Sequence, residues 1–235
     1  LAAREINIAK LPKAAQNWEN THLRYTHGVG AVMSPAAQDA GNPLVWYLRD
    51  LNMNSDVSKF TINNPDIYFG EEDYNYAVVP NNLKVVGIES ASDQSQEHDY
   101  TGKGGIPISS IFKKALFSVY FKDFKIFFSP NITDNSQLMI HRNIVERVHK
   151  IAPFLQLDKD PYLVGTKDRF YWILDAYTIS NLYPASKPAA DDYLASDDQF
   201  NYIRNSVKVV VDAFDGTVDF YLADPSDPII QTYNR

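Results

Sequence analysis

Five histidines, His22, His27, His98, His141 and His149, are the side chains of this chain best suited by type to move protons near neutral pH or to bind a metal. Their spacing limits what they can do. His22 and His27 are five apart, outside the four-residue step that lets two helical histidines share a zinc ion. Glu19 stands three before His22, which would suit a di-metal bundle only with a second such pair, and the sequence holds none. No HExxH, CxxC or DxDxDG pattern occurs, so neither a metal nor a cofactor is expected. With no cysteine, thiolate chemistry and disulfides are excluded.

Other groups carry weaker signals. Gly102, Gly104 and Gly105 in TGKGG resemble a phosphate-binding turn, but the order GxxxxGK[ST] is missing. The plainer reading is a flexible turn before a helix, with Ser109 or Ser110 as its cap and its first N–H groups open to an anion. Ser34 lacks the GxSxG elbow of a nucleophile. Asn131-Ile132-Thr133 fits a glycosylation sequon, which matters only on a eukaryotic secretory route.

The elements that must position these groups centre on residues 201–224. Asp215-Gly216 is the dipeptide favoured by a two-residue type I′ turn, so a hairpin is expected there. That turn sets Ala213 opposite Val218, Val211 opposite Phe220 and Val209 opposite Leu222, all on one apolar face. It also sets Asp212 opposite Asp219, either in water beside Lys208 or around a cation. A second hairpin is expected to turn at Lys167-Asp168, between 162–164 and 170–177, with Trp172, Leu174 and Ala176 facing inward. WILDAY in that strand echoes VVVDAF at 209–214, which shared residue preferences of buried strands explain.

Apolar periodicity predicts a helix over 108–121, with Ile108, Ile111, Phe112, Ala115, Leu116, Val119 and Tyr120 as its buried stripe. Another is predicted over 136–151, its basic residues Arg142, Arg147 and Lys150 on a solvated face with His141 and His149. A short helix over 11–22, a buried strand at 124–128 and strands at 44–48, 74–79 and 83–88 complete the reading. Residues 89–105 and 184–199 read as surface loops. The fold class is α+β: a largely antiparallel sheet with the two main helices, 108–121 and 136–151, packed on one face. Residues 1–235 read as one region, divisible at about residue 100 into 1–100 and 101–235.

The composition narrows the partners. At 235 residues and 45% hydrophobic content a substantial core is within reach. A net charge of −7 argues against a nucleic-acid partner. No run of 18 apolar residues occurs, so none of the chain is expected to span a membrane as a helix, and no signal peptide opens it. The start at LAAREIN and the stop at DPIIQTYNR read as boundaries inside a longer protein.

One stretch carries a family resemblance. HLRYTHGVGAVMSP at 22–35 resembles the signature HLxYTHGxGxVMSP of an uncharacterised family of large bacterial and archaeal membrane proteins. Further agreement lies at PDIYFGE, YTGKGGIP, HRNIVERVHKIAPFL, DRFYWILDAYTISNLYP and the hairpin segment from Asn201, in order along the whole chain. The resemblance implies several N-terminal transmembrane helices followed by a long extracytoplasmic region, of which this chain would be an excerpt. It supplies no established activity and no catalytic residues.

Within the signature, Arg24, Tyr25, His27, Gly28, Gly30 and Ser34 are the candidate ligand-binding residues: polar groups around glycines that allow close approach. The competing reading is that Tyr25 and His27 satisfy buried turns. The resulting expectation is a non-enzymatic extracytoplasmic module of the cell membrane. It would bind an envelope ligand or a protein partner on behalf of its own transmembrane region. The alternatives are a hydrolase or transferase of envelope material with His27 as general base, and a scaffold.

Overall fold

The computed structural model describes residues 1–37, 41, 43, 45–49, 62–83, 85–86, 97–98, 100–189 and 199–233. Short strands fill the first half: β1 (Ala2–Ala3), β2 (Gly28–Val29), β3 (Ala31–Val32), β4 (Asp66–Ile67), β5 (Ala77–Val79), β6 (Val85–Val86), β7 (Glu97–His98) and β8 (Ile106–Pro107). Then follow α1 (Ile111–Tyr120), α2 (Lys125–Phe128), β9 (Gln137–Met139), α3 (Ile144–Ile151) and β10 (Gln156–Leu157). The last part holds β11 (Tyr162–Gly165), β12 (Phe170–Ser180), β13 (Tyr202–Asp212), β14 (Val218–Leu222) and α4 (Pro228–Tyr233). The class is α+β, and every named strand pair is antiparallel.

The largest sheet runs β10-β12-β13-β14, with β11 also on β12. Strict alternation makes it one-sided: Trp172, Leu174 and Ala176 are buried on the same face as Val207, Val209 and Val211. The turn between β11 and β12 spans 166–169, as its lysine–aspartate pair predicts. Between β12 and β13 the register shifts at Ala176/Tyr177, which turns Ser206 inward to the buried carboxylate of Asp227.

The β13–β14 hairpin forms, but its register is shifted by two residues from that of a type I′ turn. Val211 pairs with Val218, Val209 with Phe220, and Val207 with Leu222. The cause is Asp212. Its Oδ1 accepts from the backbone N–H groups of Phe214 (2.8 Å) and Asp215 (3.0 Å), opening a wider loop over 213–216 that Gly216 closes at φ 67°. A shift of two preserves the faces, so Val209 and Val211 remain buried. Asp219 now lies opposite Val210, so the opposed carboxylate pair does not exist. Phe220 is 40% exposed, because β14 is the sheet edge.

The two long helices part from expectation. Residues 137–139 are the central strand of the sheet β5-β9-β8, and the helix begins only after Asn143, whose side chain accepts from the Glu146 amide at 3.0 Å. Its Ile144 and Val148 join the core of the large sheet. α1, capped by Ser110, instead belongs to a second cluster with Leu23, Tyr76, Val78, Ile108, Ile126 and Leu138. It packs through Phe117, Phe121 and the buried Ser118; of the stripe expected inside, Ile108 is buried ahead of the helix and Ala115 is half-buried, but Ile111, Phe112, Leu116, Val119 and Tyr120 are exposed. The 124–128 segment is the short helix α2 rather than a strand, with only Ile126 buried.

The 11–22 helix is replaced by a 3₁₀ turn at Lys13–Ala15 and a π-helical turn over Asn20–Arg24. Strand pairing also departs from sequence neighbours at β5, which pairs with β9 and not with β6, while β6 pairs with the next strand, β7. Of the strand expected at 44–48, Leu48 bridges Met33, while Leu44 lies outside the described residues. So do residues 84 and 87–88 of the strand expected at 83–88, and 89–96, 99 and 190–198 of the two polar loops.

Candidate functional site

A polar cleft of about 420 Å³ opens where α1, the π-turn and the β9–α3 junction meet. His22, Tyr76, Tyr120, Asp123, His141 and Glu146 are among the residues that line it. The π-turn sets the first wall. An extra residue in a helical turn re-aims side chains, and here it turns His22 and Leu23 inward. The His22 ring stacks on Tyr76 with centroids 3.9 Å apart, and its Nδ1 lies 2.8 Å from the Tyr76 carbonyl oxygen. Burial lowers the His22 pKa, and the Tyr76 carbonyl and the Asp123 charge offset this only in part. The imidazole is therefore neutral at physiological pH.

Asp123 forms the floor. Its Oδ2 accepts from the Tyr76 hydroxyl at 2.6 Å and from Trp18 Nε1 at 2.7 Å, and its Oδ1 accepts from the Lys125 amide at 3.1 Å. Burial raises the carboxyl, but these bonds outweigh it and hold the group below the usual carboxylate range. Its proton affinity is spent on neutral donors, so it is an anchor and not a base. The opposite wall comes from His141, in the left-handed region at φ 50°, a conformation that costs free energy outside glycine. That backbone aims Nδ1 at Glu146 Oε1, 2.9 Å away. The lining residues include no serine, threonine, cysteine or lysine, and the carboxylates of Asp123 and Glu146 are each engaged by a neighbouring side chain. Among the described residues, no three His, Cys, Asp or Glu side chains cluster to hold a metal ion.

The six residues singled out in sequence lie elsewhere. His27 is fully buried, its ring stacked on Tyr68 at 4.4 Å, with Nε2 3.6 Å from Asp66 Oδ1. A side chain on Gly28 would meet the backbone oxygen of Arg4 at 2.3 Å. Gly30, at φ 77°, turns the chain between β2 and β3. Arg24 and Tyr25 are half-buried beside the π-turn, and Ser34 is exposed beyond β3. None of the six lines the cleft at His22. The stretch is instead tied down by Arg142, which is 2% exposed and not on a solvated face. Its guanidinium donates to the carbonyl oxygens of Thr26, Tyr68 (2.9 Å) and Asn75 (3.2 Å) and lies over the Tyr74 ring.

His22 and His141 belong to the cleft but were assigned no role in sequence, since 119 positions separate them. The only sequence signal is their residue type; a π-turn and a positive-φ histidine leave no local signature.

The family model of an Uncharacterised protein family, UPF0182, matches residues 1–235. The chain belongs to that family. It is 56% identical to a UPF0182 protein of Methylococcus capsulatus over 99% of this chain and 26% of the relative. It is 45% identical to one from Nitrosococcus oceani, over 100% of this chain and 28% of the relative. A third, from Syntrophobacter fumaroxidans, is 41% identical over 100% and 26%. The chain thus spans about a quarter of the length of these UPF0182 relatives. Their names state no activity, and no solved structure matches the chain. No helix among the described residues is long and apolar enough to cross a membrane.

Proposed function

We propose that this chain is a non-enzymatic, extracytoplasmic module of a larger membrane protein, and that it binds a small polar ligand in the cleft at His22. The observation that carries this reading is the cleft itself. Its acidic and imidazole groups are already bonded within the protein, and its walls offer tyrosine faces and hydroxyls. Such a lining suits a ligand with hydroxyl or ammonium donors. The fully buried His27 offers no open face to a substrate, which weighs against a general base there.

Two measurements test it. A thermal-shift panel of sugars, polyols and polyamines should include ligands that raise Tm, with the gain lost in His141→Ala and Tyr120→Ala. Turnover on ester, amide and glycoside substrates, abolished by Glu146→Gln in a folded protein, would overturn the non-enzymatic reading. Placement is tested separately by a thiol at exposed Lys167, since the chain has no cysteine of its own. In intact cells holding a full-length family member with the equivalent substitution, a membrane-impermeant maleimide should label it. Labelling only after permeabilisation would refute the location.

A further inference from the structure

A different surface carries an inference that does not depend on the cleft. On α1 the residues Ile111, Phe112, Leu116 and Val119 form one continuous face that no described part of the chain covers. Ile111 is 74% and Phe112 76% exposed. Near the α1–α2 turn, Phe124 and Phe128 are also 67% and 74% exposed. A helix pair usually buries such residues; here the inward positions are taken by Phe117, Phe121, Ser118 and Ile126. An apolar surface of this kind on a folded domain marks a contact site.

The charge around the face says what it contacts. The chain as a whole is acidic, at −7, yet residues 101–128 hold five lysines and a single acid, Asp123. That acid is turned inward onto Trp18 and Tyr76. Beside the apolar face Lys122 and Lys125 are exposed at the α1–α2 turn, with Glu19 as an exposed acid near Lys125 and Phe128. Apolar and aromatic side chains on one face, rimmed by lysines, match the interface of an anionic lipid leaflet. There rings and aliphatic chains enter the acyl boundary, and ammonium groups meet phosphates. An apolar protein partner would need no basic rim, and a second copy docking through the same face would set lysine against lysine.

We propose that the α1–α2 face inserts shallowly into the surface of a bilayer containing anionic lipid. Flotation of the chain with vesicles tests this, comparing phosphatidylcholine alone with phosphatidylcholine plus phosphatidylglycerol. Binding to the anionic vesicles should exceed binding to the neutral ones at least about tenfold and fall as salt is raised. The pair Phe112→Ser with Leu116→Ser should lower it about tenfold or more, from the apolar area lost. Lys122→Glu with Lys125→Glu should remove the preference for anionic lipid while leaving the apolar face intact. All four positions are exposed, so each variant should keep the wild-type urea midpoint, and the lysine pair serves should the first unfold. Failure to float, or flotation indifferent to both variants, would overturn the proposal. Self-association abolished by the Phe112/Leu116 pair would overturn it too, by making a second copy the occupant. Neither outcome bears on the ligand-binding cleft or on labelling at position 167.

Discussion

The backbone N–H of Lys103 donates to Asp215 Oδ1 at 2.7 Å, joining the glycine-rich turn to the tip of the β13–β14 hairpin. The same oxygen lies 3.2 Å from the Tyr100 hydroxyl, and Oδ2 receives Arg169 Nη1 at 2.8 Å. The turn that resembled a phosphate loop does cradle an anion, but the anion is a carboxylate of its own chain. Gly104 lies so close to the hairpin that a side chain there would meet the Asp215 carbonyl oxygen at 2.4 Å.

Burial alone would raise the Asp215 carboxyl, but the Lys103 amide and Arg169 outweigh it and hold it low. Asp215→Asn is therefore expected to cost about 1–3 kcal/mol near neutral pH. Because the folded-state pKa lies below the unfolded one, this stabilisation is complete above the unfolded value. It is lost as pH falls through the folded one. Urea melts of the two proteins should differ at pH 7 and converge in strong acid; a gap unchanged at low pH would refute the charge argument.

Arg142 holds three backbone carbonyls, and its bonds to those of Thr26 and Tyr68 are buried. Arg142→Met leaves them unpaired and should cost about 3–5 kcal/mol in urea unfolding. Arg142→Lys should rescue little, since one ammonium cannot reproduce the planar fork. Full rescue by lysine would show that charge, not geometry, matters there.

His22 gives an acid-side signature. Its folded pKa is depressed, so the unfolded chain takes up its proton first as pH falls below about 6.5. The native state accordingly loses stability from there downward, until the folded pKa is passed. His22→Gln should flatten the part of the pH–stability curve below 6.5 while leaving pH 8 little changed apart from the cost of lost packing. An identical slope in the two proteins would assign the acid sensitivity elsewhere.

Two glycines should resist alanine for different reasons. At Gly28 the obstacle is a backbone oxygen at 2.3 Å, which cannot move without the Arg4–Glu5 backbone parting from β2, so Gly28→Ala should cost roughly 3 kcal/mol or more. At Gly216 the added carbon meets the Phe69 ring at 2.6 Å, and the backbone is left-handed at φ 67°. A cost of about 1–3 kcal/mol is expected there. Thermal melts rank the pair, and a tolerated Gly28→Ala would contradict the steric account.

Local patterns were legible wherever a segment's neighbours in space are also its neighbours in sequence. Alternation at 170–176 and 207–213 predicted which residues the large sheet buries, and Lys167-Asp168 and Asp215-Gly216 marked its turns. The register at 216 escaped because a side chain, Asp212, captured two amides of the loop, and Tyr100, Lys103 and Arg169 fixed Asp215 from outside. The cleft escaped for the same reason on a larger scale, since its walls come from four separate segments, at 22, 74–76, 120–123 and 140–146.

What the sequence determined alone was the class of the two clearest amphipathic elements: that 111–120 is a helix with one apolar stripe, and that 207–211 is a strand with one greasy face. Which stripe meets the core was decided by tertiary structure. An apolar period records that a face shuns water, but only the volume left by neighbouring segments settles whether that face can be filled. The space beneath α1 was taken by Phe117, Phe121 and Ser118, leaving Phe112 and Leu116 outside. Arg142 followed the same rule in reverse, because three distant carbonyls made its burial cheaper than its exposure.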